Sequence, residues 1–176
     1  MKTIFFLNSY PEWGGGEKWT YEVAEELNNH NEYNVIVGSI KTSKLYQKAD
    51  KIGIKTKVVP VTSSLSVLNL YKLFSFVKYL KQEKIDVLIL NLSQDLKFGA
   101  IAAKLAGVEK IIYRRGSAIP IKDRFYTRFL LDSCVTDIIA NSISTKETIL
   151  QNTKEWLDES KIQIIYNGIK MDEVEN

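Results

Sequence analysis

The sequence is poor in residues that staple, ligate or anchor a chain. It has one cysteine, Cys134, and one histidine, His30, among 176 residues. A single cysteine cannot form an intrachain disulfide, which excludes a small disulfide framework and fits a cytoplasmic setting. The lone histidine sits in the polar stretch Asn28-Asn29-His30-Asn31, where it reads as a solvated surface residue, and no His/Cys cluster shows metal-ligand spacing. No apolar run approaches the roughly 20 residues needed to cross a bilayer. The opening Ile4-Phe5-Phe6-Leu7 gives way at once to Asn8-Ser9, too short for the core of a signal peptide. A large excess of one charge is also missing: 24 Lys and Arg against 21 Asp and Glu give a net +3. That balance permits a preference for phosphate but does not mark a nucleic-acid partner. Repeats, low-complexity stretches and internal linkers are absent.

What is present suffices for one packed domain. Hydrophobic residues make up 45% of the chain and nineteen residues are aromatic, so apolar burial can offset the entropy of ordering the chain. Short apolar runs alternate with helical patterns throughout. Strands are expected at 3–7, 34–39, 55–60, 86–91, 109–115, 136–140 and 162–166. Between them, helical spacing follows the glycines at 14–16 (Trp19, Val23, Ala24, Leu27) and recurs at 43–51, 67–84, 96–106, from Pro120 to about 133, and at 144–151. In the helix over 67–84, Leu70, Phe74, Val77 and Leu80 are expected to face inward and Lys72, Lys78, Lys81 and Lys84 outward. Strands separated by helices imply βαβ units. The fold class is therefore α/β: a doubly wound, mostly parallel sheet with helices on both faces.

In such a sheet ligands bind beyond the carboxyl ends of the strands, which draws attention to the first loop. Its Gly14-Gly15-Gly16-Glu17 lets backbone approach a ligand and opens a helix whose free N–H groups suit a phosphate. It matches neither G-x-G-x-x-G nor a Walker loop, since Gly16 is followed by Glu17-Lys18. A plain turn that lets the first helix pack is the alternative. Further blocks follow at strand ends: Asn91-Leu92-Ser93-Gln94-Asp95, leading into Gly99–Val108; Ile111-Ile112-Tyr113-Arg114-Arg115-Gly116; Ile138-Ile139-Ala140-Asn141-Ser142; and Ile164-Ile165-Tyr166-Asn167-Gly168-Ile169.

Taken in order, these segments resemble the large retaining glycosyltransferase family called group 1, or family 4, of GT-B fold, over residues 3–170. The resemblance implies the Rossmann-like N-terminal half of a two-domain enzyme. Residues 1–170 would be the acceptor-side domain and 171–176 the start of a linker to a C-terminal donor-binding domain outside this chain. The intact enzyme would move a hexosyl group from a nucleotide diphosphate sugar, a donor substrate rather than a cofactor, to a hydroxyl of a sugar or lipid-linked acceptor, in bacterial-type surface glycan synthesis. No metal or other cofactor is expected, and the present chain alone is expected to be inactive. By position, Gly14, Gly15, Gly16 and Glu17 would lie beside the donor diphosphate and acceptor, Asn141 or Ser142 would face the cleft, and 166–169 would form the hinge. One departure stands out. Where many members carry a histidine after the fifth strand, this sequence has Arg115-Gly116, preceded by Arg114.

Arginine meets phosphate and carboxylate oxygens with a planar fork of donors. Arg115 is the expected catalytic residue, as a fixed positive charge rather than a base, with Arg114 beside it. Lys122, Arg124 and Arg128 read as a solvated helix face. Asp95 at a strand end is a candidate substrate contact, and Trp13 could stack on a sugar, whereas Trp19 reads as core. The lysine side of the 67–84 helix is either a solvated face or a peripheral contact with the inner face of a membrane. The rival reading of the whole chain is a free-standing Rossmann-like binding module for a small anionic ligand or a protein partner.

Overall fold

A computed structural model describes residues 1–61 and 63–168; the expected linker at 171–176 and the end of the expected hinge, Ile169, lie outside the described residues. Seven strands, β1 (Lys2–Leu7), β2 (Tyr33–Ser39), β3 (Lys55–Val58), β4 (Val87–Leu90), β5 (Lys110–Arg115), β6 (Asp137–Ala140) and β7 (Ile162–Ile164), form one sheet in the order β3-β2-β1-β4-β5-β6-β7. All six pairings are parallel. The chain winds outward through β2 and β3, then returns to place β4 on the other side of β1. The order of winding therefore reverses between β1 and β4.

The central strands, from Ile4 to Leu7 in β1 and from Val87 to Leu90 in β4, are continuously apolar because both faces of the sheet are covered there. Phe5, Phe6 and Leu7 are all fully buried, yet successive side chains serve different cores. Phe5 and Leu7 join a large cluster that also takes residues of α3 (Leu70–Gln82) and α4 (Ser93–Ala106), while Ile4 and Phe6 join a smaller one beneath α1 (Gly15–Asn28) and α2 (Lys44–Lys51). Gly99 is where α4 presses on the sheet: a Cβ there would come within 2.4 Å of a Leu90 methyl and 2.8 Å of a Leu7 methyl. The helix ends on Gly107, whose φ of 78° is the left-handed turn that glycine adopts without steric cost.

Two helices differ most from the sequence reading, and α4 begins at Ser93, three residues earlier than expected. The helix expected over 67–84 begins at Leu70. Asn69 stops the preceding 3-10 turn (Ser66–Leu68) and caps α3 by accepting from the Lys72 N–H at 3.0 Å. Its inward face is Leu73, Phe76, Val77 and Leu80, and the expected Leu70 and Phe74 are 62% and 59% exposed. Two apolar stripes compete on this helix, and aromatic contacts decide between them: the Phe76 ring meets Phe5 at 5.7 Å and Phe98 at 5.4 Å. The helix expected from Pro120 to about 133 is a single α-turn, α5 (Phe125–Arg128), that widens into a π-helix over Phe129–Cys134. The wider winding sets Leu130, Leu131 and Cys134 into the core together. The last helix is α6 (Ile143–Leu150).

Candidate functional site

The reversal between β1 and β4 opens a crevice at the carboxyl ends of the strands. There the glycine loop, the end of β4 and the end of β5 enclose an open cleft of about 340 Å³, whose lining includes Tyr10, Gly14, Gly15, Gly16, Glu17, Asn91, Arg114 and Ser117. The three loop glycines are not there for unusual torsions, since none has positive φ. A Cβ on Gly14 would come within 3.2 Å of the Glu17 carboxylate, one on Gly15 would meet nothing within 4 Å, and one on Gly16 would approach the Arg114 guanidinium at 3.9 Å.

Arg114 supplies the positive charge. Adjacent residues of a strand point to opposite faces, so Arg114 and Arg115 part company. Arg114 turns toward α1 and is only 5% exposed. Its guanidinium lies 4.5 Å from the centroid of the Trp19 ring and donates to Asn167 Oδ1 at 3.2 Å. Gly116 makes this path passable, because a Cβ there would fall 2.4 Å from Arg114 Nη1. Burial lowers the pKa of the guanidinium, and the nearby Glu17 carboxylate works against that shift. The group stays cationic at neutral pH.

The carboxylates act through backbone. Glu17 is buried and accepts from the Gly14 N–H at 3.1 Å, closing the first turn of α1. Asp95, expected among the substrate contacts, is fully buried. It is a cap instead: one carboxylate oxygen accepts from the N–H groups of Ser9 and Leu92, each at 3.3 Å. Gln94 adds a 2.6 Å bond to Ser9 Oγ, so α4 holds the loop that follows β1. Burial raises the pKa of Asp95 to about 7 against the hydrogen bonds from Ser9 and Leu92, with Glu17 adding to the rise.

Other expected contacts lie elsewhere. Trp13 does not line the cleft; its ring packs 6.1 Å from Tyr21 with Lys48 Nζ 5.0 Å above it. Asn141 donates to the Gly116 carbonyl at 3.2 Å and accepts from Thr145 at 2.7 Å, and Ser142 caps α6 through the Thr145 N–H at 3.1 Å. Both brace the end of β6 rather than face the cleft. Arg115 points to the other face, donating to the Ile119 carbonyl and to Tyr113 Oη at 3.3 Å. Trp19, half-buried, packs against the smaller core cluster, and His30 is at the surface beside Glu26. Two residues outside the expected contacts bear on the cleft, Asn91 as part of its lining and Asn167 through Arg114. Asn167 fixes Arg114, and Asn91 carries buried amide atoms, Nδ2 and Oδ1, that have no hydrogen-bond partner among the described residues. Asn91's place at the end of the central strand was the available signal. Among the described residues, no group of three or more His, Cys, Asp or Glu side chains gathers to hold a metal ion, and no helix is long and apolar enough to cross a membrane.

Solved structures share this architecture. A protein of Anabaena, HepE, crystallised with UDP and glucose, superposes with a TM-score of 0.78 at 19% identity, over 98% of this chain and 46% of its own. A glycosyltransferase of Rickettsia africae gives 0.77 at 22% identity, over 97% and 44%. The lipopolysaccharide outer core galactosyltransferase WaaB gives 0.68 at 18% identity, over 97% and 47%. The chain thus spans less than half the length of each. No curated protein matches the sequence significantly. The family model described as Glycosyltransferase Family 4 matches residues 13–173. That span holds the glycine loop, the buried arginine and six of the seven strands that present them, and the chain belongs to Glycosyltransferase Family 4.

Proposed function

We propose that this chain is the acceptor-side domain of a retaining glycosyltransferase that moves a hexosyl group from a nucleotide diphosphate sugar to an acceptor hydroxyl. The observation that carries the reading is the buried Arg114 facing the glycine-lined N-terminus of α1. Both supply fixed positive potential where a departing diphosphate would gain charge. Neither reorganises during the reaction, because Trp19, Asn167 and Gly116 hold the guanidinium and Glu17 closes the helix turn. Asn91 offers both a donor and an acceptor to a sugar hydroxyl or a phosphate oxygen.

The Anabaena neighbour carries UDP and glucose, which supports a nucleotide-sugar donor. A second domain beyond residue 170 would complete the donor site, and the span of under half of each neighbour supports that division. We place the reaction in the cytoplasm, in synthesis of a bacterial-type surface glycan. The test is sugar transfer by the full-length protein against a panel of nucleotide diphosphate sugars, with this chain alone as the control. Transfer by the whole and none by the part supports the reading. Tight binding of a small anion by the present chain, with no transfer by the whole, returns it to a free-standing binding module.

A further inference from the structure

At one end of the sheet stands β3, paired only with β2. Val59 donates its N–H to the Ser39 carbonyl at 3.1 Å. Successive residues of a strand alternate, so Thr56 and Val58 direct their N–H and C=O groups away from β2. Among the described residues, no backbone group bonds to that outer edge, and Val58 is 46% exposed. Unpaired backbone along a sheet edge is a template for another strand.

Residues of β3 and α3 together line a groove of about 370 Å³. Phe76, which is buried, and Tyr79 give it an apolar wall, and Tyr71, also in the lining, is 86% exposed. Three cations line it, Lys57, Lys72 and Lys78, and no Asp or Glu does. Lys57 holds its ammonium 4.3 Å from the Tyr79 ring centroid, a contact that leaves its charge unneutralised. Glu83, the residue that caps the end of α3, is already engaged by Lys55 at 2.6 Å. The groove is therefore one-sided in charge, with an open strand edge along it.

We propose that this edge and groove dock an acidic, extended segment of a partner protein, which adds to β3 as a further strand. Its backbone pairs with Thr56 and Val58, and the carboxylates on one of its faces reach Lys57, Lys72 and Lys78. Charge selects the occupant. Lysine on an edge strand guards against pairing with a second copy, which would set the lysines of β3 against their own kind. An acidic strand meets the same side chains with attraction. An anionic membrane could use the lysines but not the outward N–H and C=O groups, which call for a peptide. The inference stands apart from sugar transfer and needs neither donor nor acceptor.

The test is fluorescence anisotropy of a dye-labelled, end-capped peptide of alternating glutamate and valine, titrated with the full-length protein. It should bind at least about tenfold more tightly than a lysine–valine peptide, and than the glutamate–valine peptide methylated on its central backbone nitrogens. Hydrogen exchange at the Thr56 and Val58 amides should slow when it binds. Val58→Pro removes an outward donor while sparing the ladder to β2. Lys72→Glu with Lys78→Glu reverses the charge at two exposed positions of α3. Each should weaken binding by at least about tenfold, with melting curves confirming the fold. Equal binding of the methylated peptide would show that charge alone holds it, and would overturn the proposal. So would a glutamate–valine peptide that does not bind, whether or not phosphatidylglycerol vesicles do. Self-association in sedimentation velocity that the same variants abolish would hand the edge to a second copy and overturn it too.

Discussion

Asp95 is a carboxyl group that folding moves away from its ordinary behaviour, and the consequence can be measured. In the unfolded chain it releases its proton near 3.8, and in the folded chain near 7, chiefly because burial penalises the charged form. Between those values the folded state holds a proton that the unfolded state has lost. The stabilisation is complete below pH 4, falls as pH rises, and is gone above pH 7. At about 1.36 kcal/mol per pH unit, the window corresponds to about 4 kcal/mol, a large part of the roughly 5–15 kcal/mol that holds a domain folded. Asp95→Asn removes the titration while its amide oxygen still accepts from the Ser9 and Leu92 N–H groups. The variant and the parent should differ by less than about 1 kcal/mol at pH 4. At pH 8 the asparagine form should be the more stable by about 3–4 kcal/mol. Urea unfolding of both proteins at intervals from pH 4 to pH 8 gives the difference directly, and subtraction cancels the titrating groups that do not interact with Asp95. A difference that stays flat over that range refutes the reasoning, because Asp95 would then titrate alike in the folded and unfolded chains.

Three further outcomes follow from the cleft and the core. Gly15→Val in the full-length enzyme should abolish transfer with almost no change in Tm, because Gly15 lines the cleft and a Cβ there meets nothing within 4 Å; a fully active variant would make the loop a structural turn. Arg114→Ala should lower kcat/KM at least about tenfold, about 1.4 kcal/mol of transition-state stabilisation, with Arg114→Lys between it and the parent. Unchanged kcat/KM in Arg114→Ala would show that the guanidinium is there for packing against Trp19. Gly99→Ala should destabilise the chain by about 1–3 kcal/mol in denaturant, as overpacking of α4 on Leu90 and Leu7 requires, and a neutral result would mean the helix can retreat from the sheet.

The parallel sheet and the number of strands were legible in the sequence. Strands buried on both faces must be apolar throughout, and the residues that end them are the first polar ones, as in Leu7-Asn8 and Leu90-Asn91. The glycine cluster after β1 was visible too, and the structure sets all three glycines in the lining of a cleft. The rotation of a helix was not legible. Leu70, Phe74, Leu73 and Phe76 are equally apolar, and only Phe5 and Phe98, distant in sequence, choose which pair is buried. Nor could the sequence apportion roles among polar residues at strand ends. Arg114 and Arg115 are neighbours of one kind, but the alternation of a strand sends one to the glycine cleft and the other to a cavity on the opposite face, and β1 and α1 on one side with α5 on the other decide which is which. Asp95, Asn141 and Ser142 look like ligand contacts when read along the chain. In space they satisfy backbone N–H and C=O groups that the ends of strands and helices would otherwise leave unpaired. A side chain's chemistry is written in the sequence; the partner it spends that chemistry on is settled only when the chain has folded around it.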